Sequence, residues 1–186
     1  MRKNLGAKAI LYPMPVLIIG TYDEKGTPNA MNAAWGGISE EKEISICVSD
    51  DHKTAENVVK SGAFTVSVAD KNNVVAADYV GIVSGNDVPD KIAKCGWTAE
   101  KSEKVNAPLF RELPMALECK LISFDKETCR LVGEIVNVSA DEGILDEKGR
   151  IDLSKFSPIT YDPVGYTYRT LGDVVGKAFS DGKKLK

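Results

Sequence analysis

Residues 43–68 read EISICVSDDHKTAENVVKSGAFTVSV, which is a strand pattern, a short helix pattern and a second strand pattern. In residues 43–49, isoleucine and valine alternate with serine and cysteine, as in a strand with one buried face. Residues 64–68 alternate in the same way. Between them, Thr54 is a good N-cap candidate and Gly62 a good terminator, so we expect a helix of about two turns.

Two further pairs of strands are predicted on either side of this stretch. The β-branched run Val16–Tyr22 is followed by the turn Asp23–Gly26 and then by Thr27–Trp35, which is the pattern of a hairpin. Met115–Phe124 and Arg130–Ser139 are separated by four turn-forming residues and predict a second hairpin. Strands therefore outnumber helices in the predicted structure.

The remaining segments predict few regular elements. Residues 72–84 favour a helix, and residues 85–114, rich in proline, glycine and charge, favour a loop with short helical turns. Residues 158–168 are predicted to be irregular, and Gly172–Phe179 to form a final helix. With no internal repeat or linker, residues 1–186 read as one mainly β domain. A closed or nearly closed barrel is expected, because closure removes exposed sheet edges.

Composition limits the partners and the location of the protein. The 186 residues carry 24 Lys and Arg against 27 Asp and Glu, so the net charge of −3 favours neither nucleic acid nor an anionic membrane as a partner. No apolar run approaches the roughly 18 residues needed to span a bilayer. The first residues, Met1–Gly6, lack the features of a secretory signal. We expect a soluble, cytoplasmic protein.

Several reaction chemistries are excluded by missing residues. His52 is the only histidine, so neither a His-cluster zinc site nor an HExxH motif is possible. No GxGxxG fingerprint, Walker A loop or GxSxG elbow occurs. The four cysteines contain no CxxC pair and read as free thiols in a reducing cytoplasm, with an iron–sulfur site as the open alternative.

The order and spacing of four segments resemble the flavin reductase-like family, and most closely its flavoredoxin-like members. These segments are residues 20–35, residues 49–68, the stretch from 107–119 into 133–135, and residues 168–172. The resemblance implies a Greek-key split barrel that binds FMN as a homodimer, each flavin pocket being completed by the second subunit.

The resemblance places the flavin ring along the second strand of the first hairpin. The residues that would present backbone and amide groups to the ring are Asn29, Ala30, Met31, Asn32 and Ala33. Donors at these positions suit a flavin, which gains a proton at N5 and negative charge near N1 and O2 on reduction. The alternative for the two asparagines is turn chemistry beside Pro28, although two asparagines are unusual in a strand-like segment. Trp35 either covers the flavin or a neighbouring subunit, or is a core residue.

The phosphate of FMN is expected at the start of the predicted 53–62 helix. The candidates are Ser49, His52, Lys53 and Thr54. Free N–H groups at a helix start suit a dianion, while lysine adds charge and the hydroxyls add donors. The alternatives are that Thr54 only caps the helix and that Lys53 and His52 are solvated. A lysine at a helix start opposes the helix dipole unless an anion is present, which favours the phosphate.

Three further residues are assigned by resemblance. Lys91 corresponds to a residue that reaches the flavin, here from the same or the partner subunit, and otherwise is a surface lysine in a charged loop. Tyr161 and Tyr166 lie in the tail segment that approaches the cofactor in this family, or else only pack.

The implied function is FMN-dependent electron transfer, as an NAD(P)H-dependent oxidoreductase or as a flavoredoxin-like carrier supplied by a redox protein. A nicotinamide that stacks on the flavin needs no separate dinucleotide domain, and no side chain need act as acid, base or nucleophile. No catalytic side chain and no metal are therefore predicted. The alternative is a non-catalytic β-barrel module that binds FMN or another ligand for sensing or storage.

Overall fold

The computed structural model describes residues 1–186, most of which lie in or between short strands. The strands β1 to β12 are, in chain order, Met14–Pro15, Leu17–Tyr22, Pro28–Ala33, Gly36–Glu40, Glu43–Cys47, Ala63–Val68, Ala99–Lys101, Pro108–Phe110, Met115–Asp125, Arg130–Ala140, Ile159–Asp162 and Thr167–Thr170. The helices α1 to α3 are Lys53–Ser61, Val74–Ile82 and Lys91–Lys94, and two 3-10 helices cover Glu142–Ile144 and Asp181–Leu185. None of these helices is long and apolar enough to cross a membrane.

A seven-stranded antiparallel sheet dominates the molecule. Its strand order is β3-β2-β6-β9-β10-β5-β4, and it curls into a half-barrel with β3 and β4 as its two edges. A three-stranded sheet, β1-β11-β12, and the β7-β8 pair complete the β structure. The mainly β fold predicted from the sequence is confirmed.

The first strand of the first hairpin, β2, carries apolar side chains on both faces because it lies between two hydrophobic cores. Leu17 and Ile19 point into a core inside the half-barrel, with Phe64 at its centre. Val16 and Ile18 point the other way, into a core shared with α2, α3 and β11. Burying each such side chain contributes about 1.5–3 kcal/mol, so β2 joins the two cores.

Both predicted hairpins and the first two helices are confirmed. In the first hairpin Leu17 lies opposite Ala33 and Tyr22 opposite Pro28, so β3 ends two residues before Trp35. The second hairpin pairs β9 with β10 and contains two register irregularities. Helix α1 ends at Gly62, which adopts the left-handed conformation with φ of 68°. Such a residue is the usual way to stop a helix.

The predicted irregular structure at 158–168 is wrong. Strands β11 and β12 form a hairpin there, and β11 also pairs with β1, with Met14 opposite Tyr161. The threonines and tyrosines favour strand, whereas Pro163 and Gly165 occupy the turn between the strands. Within the predicted loop 85–114, the short strands β7 and β8 were also missed.

The predicted helix at Gly172–Phe179 is wrong as well. Every residue from Leu171 to the C-terminus is exposed, and the only regular element is the 3-10 helix that begins at Asp181. A short helix in water depends on burying an apolar face. This segment buries none, and Gly172 and Gly176 each disfavour a helix by about 1 kcal/mol.

The edge strand β3 is enclosed by two helices, and this arrangement forms the candidate site. Helix α2 packs on one side, where the Asn32 amide donates to the carbonyl of Ala77 at 3.0 Å. The close approach requires Gly81, since a Cβ there would lie 2.8 Å from Cβ of Asn32. On the other side, the start of α1 reaches β3 through Asn29 and Thr54.

Candidate functional site

A cleft of about 210 Å³ lies between β3, the start of α1 and the segment that follows α2. Because small-molecule pockets generally measure about 300–1000 Å³, this cleft holds one end of a larger ligand. The lining residues are Asn29, Met31, His52, Lys53, Thr54, Val80, Gly81, Ile82, Val83, Ser84, Gly85 and Lys91. Two of them are lysines and none is acidic, so the cleft favours an anion.

Helix α1 points its N-terminal N–H groups at this cleft. Its N-cap is His52, whose backbone is extended and whose side chain makes no capping bond. The first hydrogen bond within the helix runs from the N–H of Glu56 to the carbonyl of His52. The N–H groups of Lys53, Thr54 and Ala55 therefore have no intrahelical partner and can bind an anion.

The prediction that Thr54 caps the helix is wrong, because Thr54 already lies in the first turn. Its buried hydroxyl accepts a hydrogen bond of 2.9 Å from the side-chain amide of Asn29. Since the hydroxyl acts as acceptor in this contact, its proton remains available for a ligand in the cleft.

Asn29 supplies an unpartnered acceptor. Its side chain is only 6% exposed, and its amide nitrogen is committed to Thr54. The amide oxygen Oδ1 is buried and has no hydrogen-bond partner in the protein. A buried polar atom without a partner is costly, so this oxygen fits a ligand that brings a hydroxyl or N–H donor.

Gly85 closes the cleft directly beside Asn29. A Cβ at position 85 would lie 2.3 Å from Oδ1 of Asn29 and 3.3 Å from Cγ of Lys53. Only glycine allows the segment after α2 to approach both groups, so any larger residue would enter the cleft.

Lys91 is a cleft residue of the same chain. Its side chain is 2% exposed, and Nζ donates to the carbonyls of Val80 at 3.3 Å and Val83 at 2.9 Å. The surface-lysine alternative is therefore wrong. Burial lowers the pKa of Lys91 to about 8, and an anion in the cleft would oppose this shift by favouring the charged form.

The other two cationic candidates are less constrained. Nζ of Lys53 lies 3.0 Å from a carboxylate oxygen of Glu56, whose other oxygen is held by Lys60 at 2.9 Å. The imidazole of His52 is about half exposed, 3.9 Å from the carboxylate of Asp51. Both Lys53 and His52 line the cleft, so the fully solvated alternative applies to neither.

A second cleft, of about 460 Å³, adjoins the first and shares Gly81 and Ile82 with it. Its lining residues are Asn32, Ala34, Asp78, Gly81, Ile82, Tyr161, Tyr166 and Tyr168. The phenol of Tyr168 donates to Asp78 at 2.7 Å, and the rings of Tyr161 and Tyr168 are 6.2 Å apart. Burial and the bond to Asp78 raise the pKa of Tyr168 to about 12, so this phenol keeps its proton at neutral pH. The three rings provide aromatic faces for a planar group.

The structure thus brings most predicted site residues together. Asn29, Met31, His52, Lys53, Thr54 and Lys91 line the first cleft, and Asn32, Tyr161 and Tyr166 line the second.

Four other predicted site residues lie elsewhere. The side chains of Ala30 and Ala33 are buried in the two cores, so only their backbone on the edge strand can face a ligand. Trp35 is exposed in a separate groove, which excludes the core alternative. Ser49 is exposed and outside both clefts, because the helix starts four residues later at Lys53.

Sequence analysis missed the 81–85 segment, Asp78 and Tyr168. The available signal was Ser84-Gly85 directly after a predicted helix, a combination that commonly forms a turn. Nothing in the sequence indicates that Tyr168 meets Asp78, which lies 90 residues earlier.

Comparison with known proteins agrees with this geometry. The flavin reductase-like domain family matches residues 9–170. The chain belongs to this family. The flavoredoxin of Desulfovibrio vulgaris (Miyazaki F) is 40% identical, and its solved structure superposes with a TM-score of 0.93 over 98% of this chain and 100% of that chain.

Two further solved structures extend the comparison of this flavin reductase-like chain. The flavoredoxin of Methanosarcina acetivorans is 28% identical, with a TM-score of 0.86 over 100% of this chain and 98% of that chain. Nitrilotriacetate monooxygenase component B from Bacillus cereus is 21% identical, with a TM-score of 0.78 over 95% of this chain and 98% of that chain. At that identity the likeness shows the fold, which is the split barrel predicted from the sequence.

Proposed function

We propose that this flavin reductase-like protein binds FMN and transfers electrons through it. The observation that carries the proposal is the first cleft, where the free N–H groups of α1 meet Lys53 and Lys91 without a carboxylate in the lining. A phosphate dianion satisfies the N–H groups and both cations, so the residues present fit the phosphate end of FMN.

The other parts of FMN also match groups along β3. The polyhydroxylated chain of FMN offers donors for the unpartnered Oδ1 of Asn29. The ring would extend along the edge strand into the second cleft, where Asn32 and the tyrosines Tyr161 and Tyr168 lie. The free backbone groups of an edge strand give such a ring hydrogen-bonding partners.

The redox chemistry comes from the cofactor, since bound FMN accepts a hydride or single electrons. The protein's own residues bind and orient the cofactor, and Lys91 places a positive charge in the cleft. The two flavoredoxins that this chain resembles support an electron carrier or an NAD(P)H-dependent reductase.

The visible spectrum of the FMN-loaded protein under anaerobic conditions tests the redox role. We expect the flavin absorbance to bleach when NADH, NADPH or a reduced ferredoxin is added, and to return when air is admitted. Dithionite provides the fully reduced reference. If FMN binds but none of the three donors bleaches it, the protein is a non-catalytic FMN-binding module.

We further propose that the protein forms a homodimer. Helix α2 supports this, because Asp78 is its only charged residue and yet it leaves the apolar side chains of Val75 and Ile82 exposed. An apolar helix surface of this kind is usually covered by other protein. Ile82 lies at the rim shared by the two clefts, so a subunit covering it would also shield the cofactor.

Affinity for FMN is expected to fall as the pH rises through about 8. Below this pH Lys91 is already protonated in the free protein and attracts the anionic ligand. Above it, Lys91 must first take up a proton when the ligand binds, and this protonation reduces the free energy of binding. In the pH range where Lys91 is protonated in the complex but not in the free protein, the dissociation constant for FMN should rise by up to tenfold per pH unit. Dissociation constants should be measured by fluorescence between about pH 7 and 9.5, above the phosphate pKa of about 6.

Lys91→Met is the matched control for this pH dependence, because it keeps a long side chain without a titrating group. Its affinity should be weaker at neutral pH and nearly constant over the same range. A wild-type affinity that does not change with pH would show that Lys91 does not face the bound anion.

A further inference from the structure

We propose that residues 172–186, the C-terminal arm, dock in an apolar groove of a second copy of this chain. The groove lies between the N-terminal segment 8–15 and the β3–β4 connection at residues 34–36. The inference rests on the homodimer proposed above and specifies which segments hold it together.

The arm exposes large apolar side chains and makes no hydrogen bond or ion pair with the rest of its chain. Val174, Val175 and Phe179 are 93%, 101% and 99% exposed. Every hydrogen bond and ion pair of the arm joins two residues within it, such as the contacts of Asp181 with Lys177 and Lys184. Large apolar side chains that have no packing partner in their own chain are candidates for contact with another chain.

The arm is also shared with solved relatives. The superposition with the Desulfovibrio flavoredoxin covers 98% of this chain, and that with the Methanosarcina flavoredoxin covers all of it. Both aligned regions therefore include most or all of residues 172–186. A segment with no support from its own chain keeps a common course only if something outside the chain holds it.

The groove has the chemistry to receive this arm. Its volume is about 420 Å³, and its lining includes Ile10, Leu11, Met14 and Trp35, with Lys8 as the one charged residue. Leu11 and Trp35 are exposed on its surface. Such a lining suits valine and phenylalanine side chains and offers a charged ligand only Lys8.

Arm and groove are placed so that two copies can exchange arms. The arm begins after β12, in the same three-stranded sheet as β1, and β1 lines the groove. A two-fold axis beside this sheet would bring each arm next to the groove of the other copy. The arm ends with Lys183, Lys184 and Lys186, whereas the strand that leaves the groove, β4, leads to Glu40 and Glu41. The charges therefore favour an arm that runs along β4.

Sedimentation velocity of the full-length protein at several concentrations tests the exchange. The wild type should sediment as a dimer of twice the 20.1 kDa chain mass. The double substitution Val174→Asp and Val175→Asp should raise the dimer dissociation constant by about 100-fold, because two valines lose their burial. These side chains contact nothing in their own chain, so the fold should be unaffected.

Two further variants separate docking from a general effect of charge. Leu11→Asp, in the groove, should weaken the dimer as the arm variant does. Leu153→Asp, at an exposed leucine outside arm and groove, should leave the dimer intact. A wild type that remains monomeric at all concentrations, or an arm variant that dimerises as strongly as the wild type, overturns the proposal.

FMN titration of the same samples keeps this proposal separate from the proposed function. A wild type that dimerises through the arm but does not bind FMN would refute only the function. Saturable FMN binding together with an arm variant that dimerises normally would refute only the arm exchange.

Discussion

Replacing Gly85 by alanine is expected to weaken FMN binding by about 100-fold, or about 2.7 kcal/mol, while the protein stays folded. The added Cβ would lie 2.3 Å from Oδ1 of Asn29 and 3.3 Å from Cγ of Lys53, so both side chains must move. Overpacking costs about 1–3 kcal/mol, and the displaced groups also lose their bonds to the ligand. Isothermal titration of wild type and variant with FMN measures the difference.

Gly37→Ala is the matched control for Gly85→Ala. Gly37 lies on β4, and a Cβ there would meet no atom within 4 Å. Its FMN affinity should equal that of the wild type. If Gly85→Ala also binds FMN normally, the ligand does not lie beside Asn29, and the assignment of the first cleft is wrong.

Lys53→Ala is expected to weaken FMN binding roughly 10- to 150-fold, the effect of losing a charge-assisted hydrogen bond worth about 1.5–3 kcal/mol. Riboflavin has the same ring but no phosphate, so its affinity should hardly change. The helix itself should tolerate the substitution, because Glu56 keeps its ion pair with Lys60. Titration of both proteins with both flavins separates the phosphate contact from the ring contact.

Lys60→Ala provides the comparison within the same helix. Lys60 pairs with Glu56 and Glu24 but does not line the cleft, so its removal should leave FMN affinity unchanged. Equal weakening of FMN and riboflavin by Lys53→Ala would place the phosphate elsewhere and give Lys53 a structural role.

The elements that were predicted correctly depend on local sequence. The run of apolar residues in β2 and the alternation in β5 decide which side chains are buried, and Gly62 ends α1 through its own backbone conformation. The family resemblance then added the site residues on β3 and at the start of α1.

The features that were missed depend on contacts between distant segments. The Asn29 amide meets Thr54 across 25 residues, and Tyr168 meets Asp78 across 90. Glycine is required at position 85 because the side chain of Asn29 lies directly against it. This contact joins residues that are far apart in the sequence, so no local sequence pattern predicts it.

The predicted C-terminal helix failed for a different reason. The apolar residues around Val174 and Val175 have no packing partner within one chain. A short helix there would therefore bury no apolar face and gain no stability from packing. The arm exchange proposed above would give these residues a partner in a second chain, which a search for helices within one domain does not consider.

Equilibrium dialysis of flavin-free protein against FMN tests the central claim most directly. We predict saturable binding of one FMN per chain with a dissociation constant in the micromolar range or below, and weaker binding of riboflavin. Absence of saturable FMN binding at protein concentrations well above this range would contradict the proposed function.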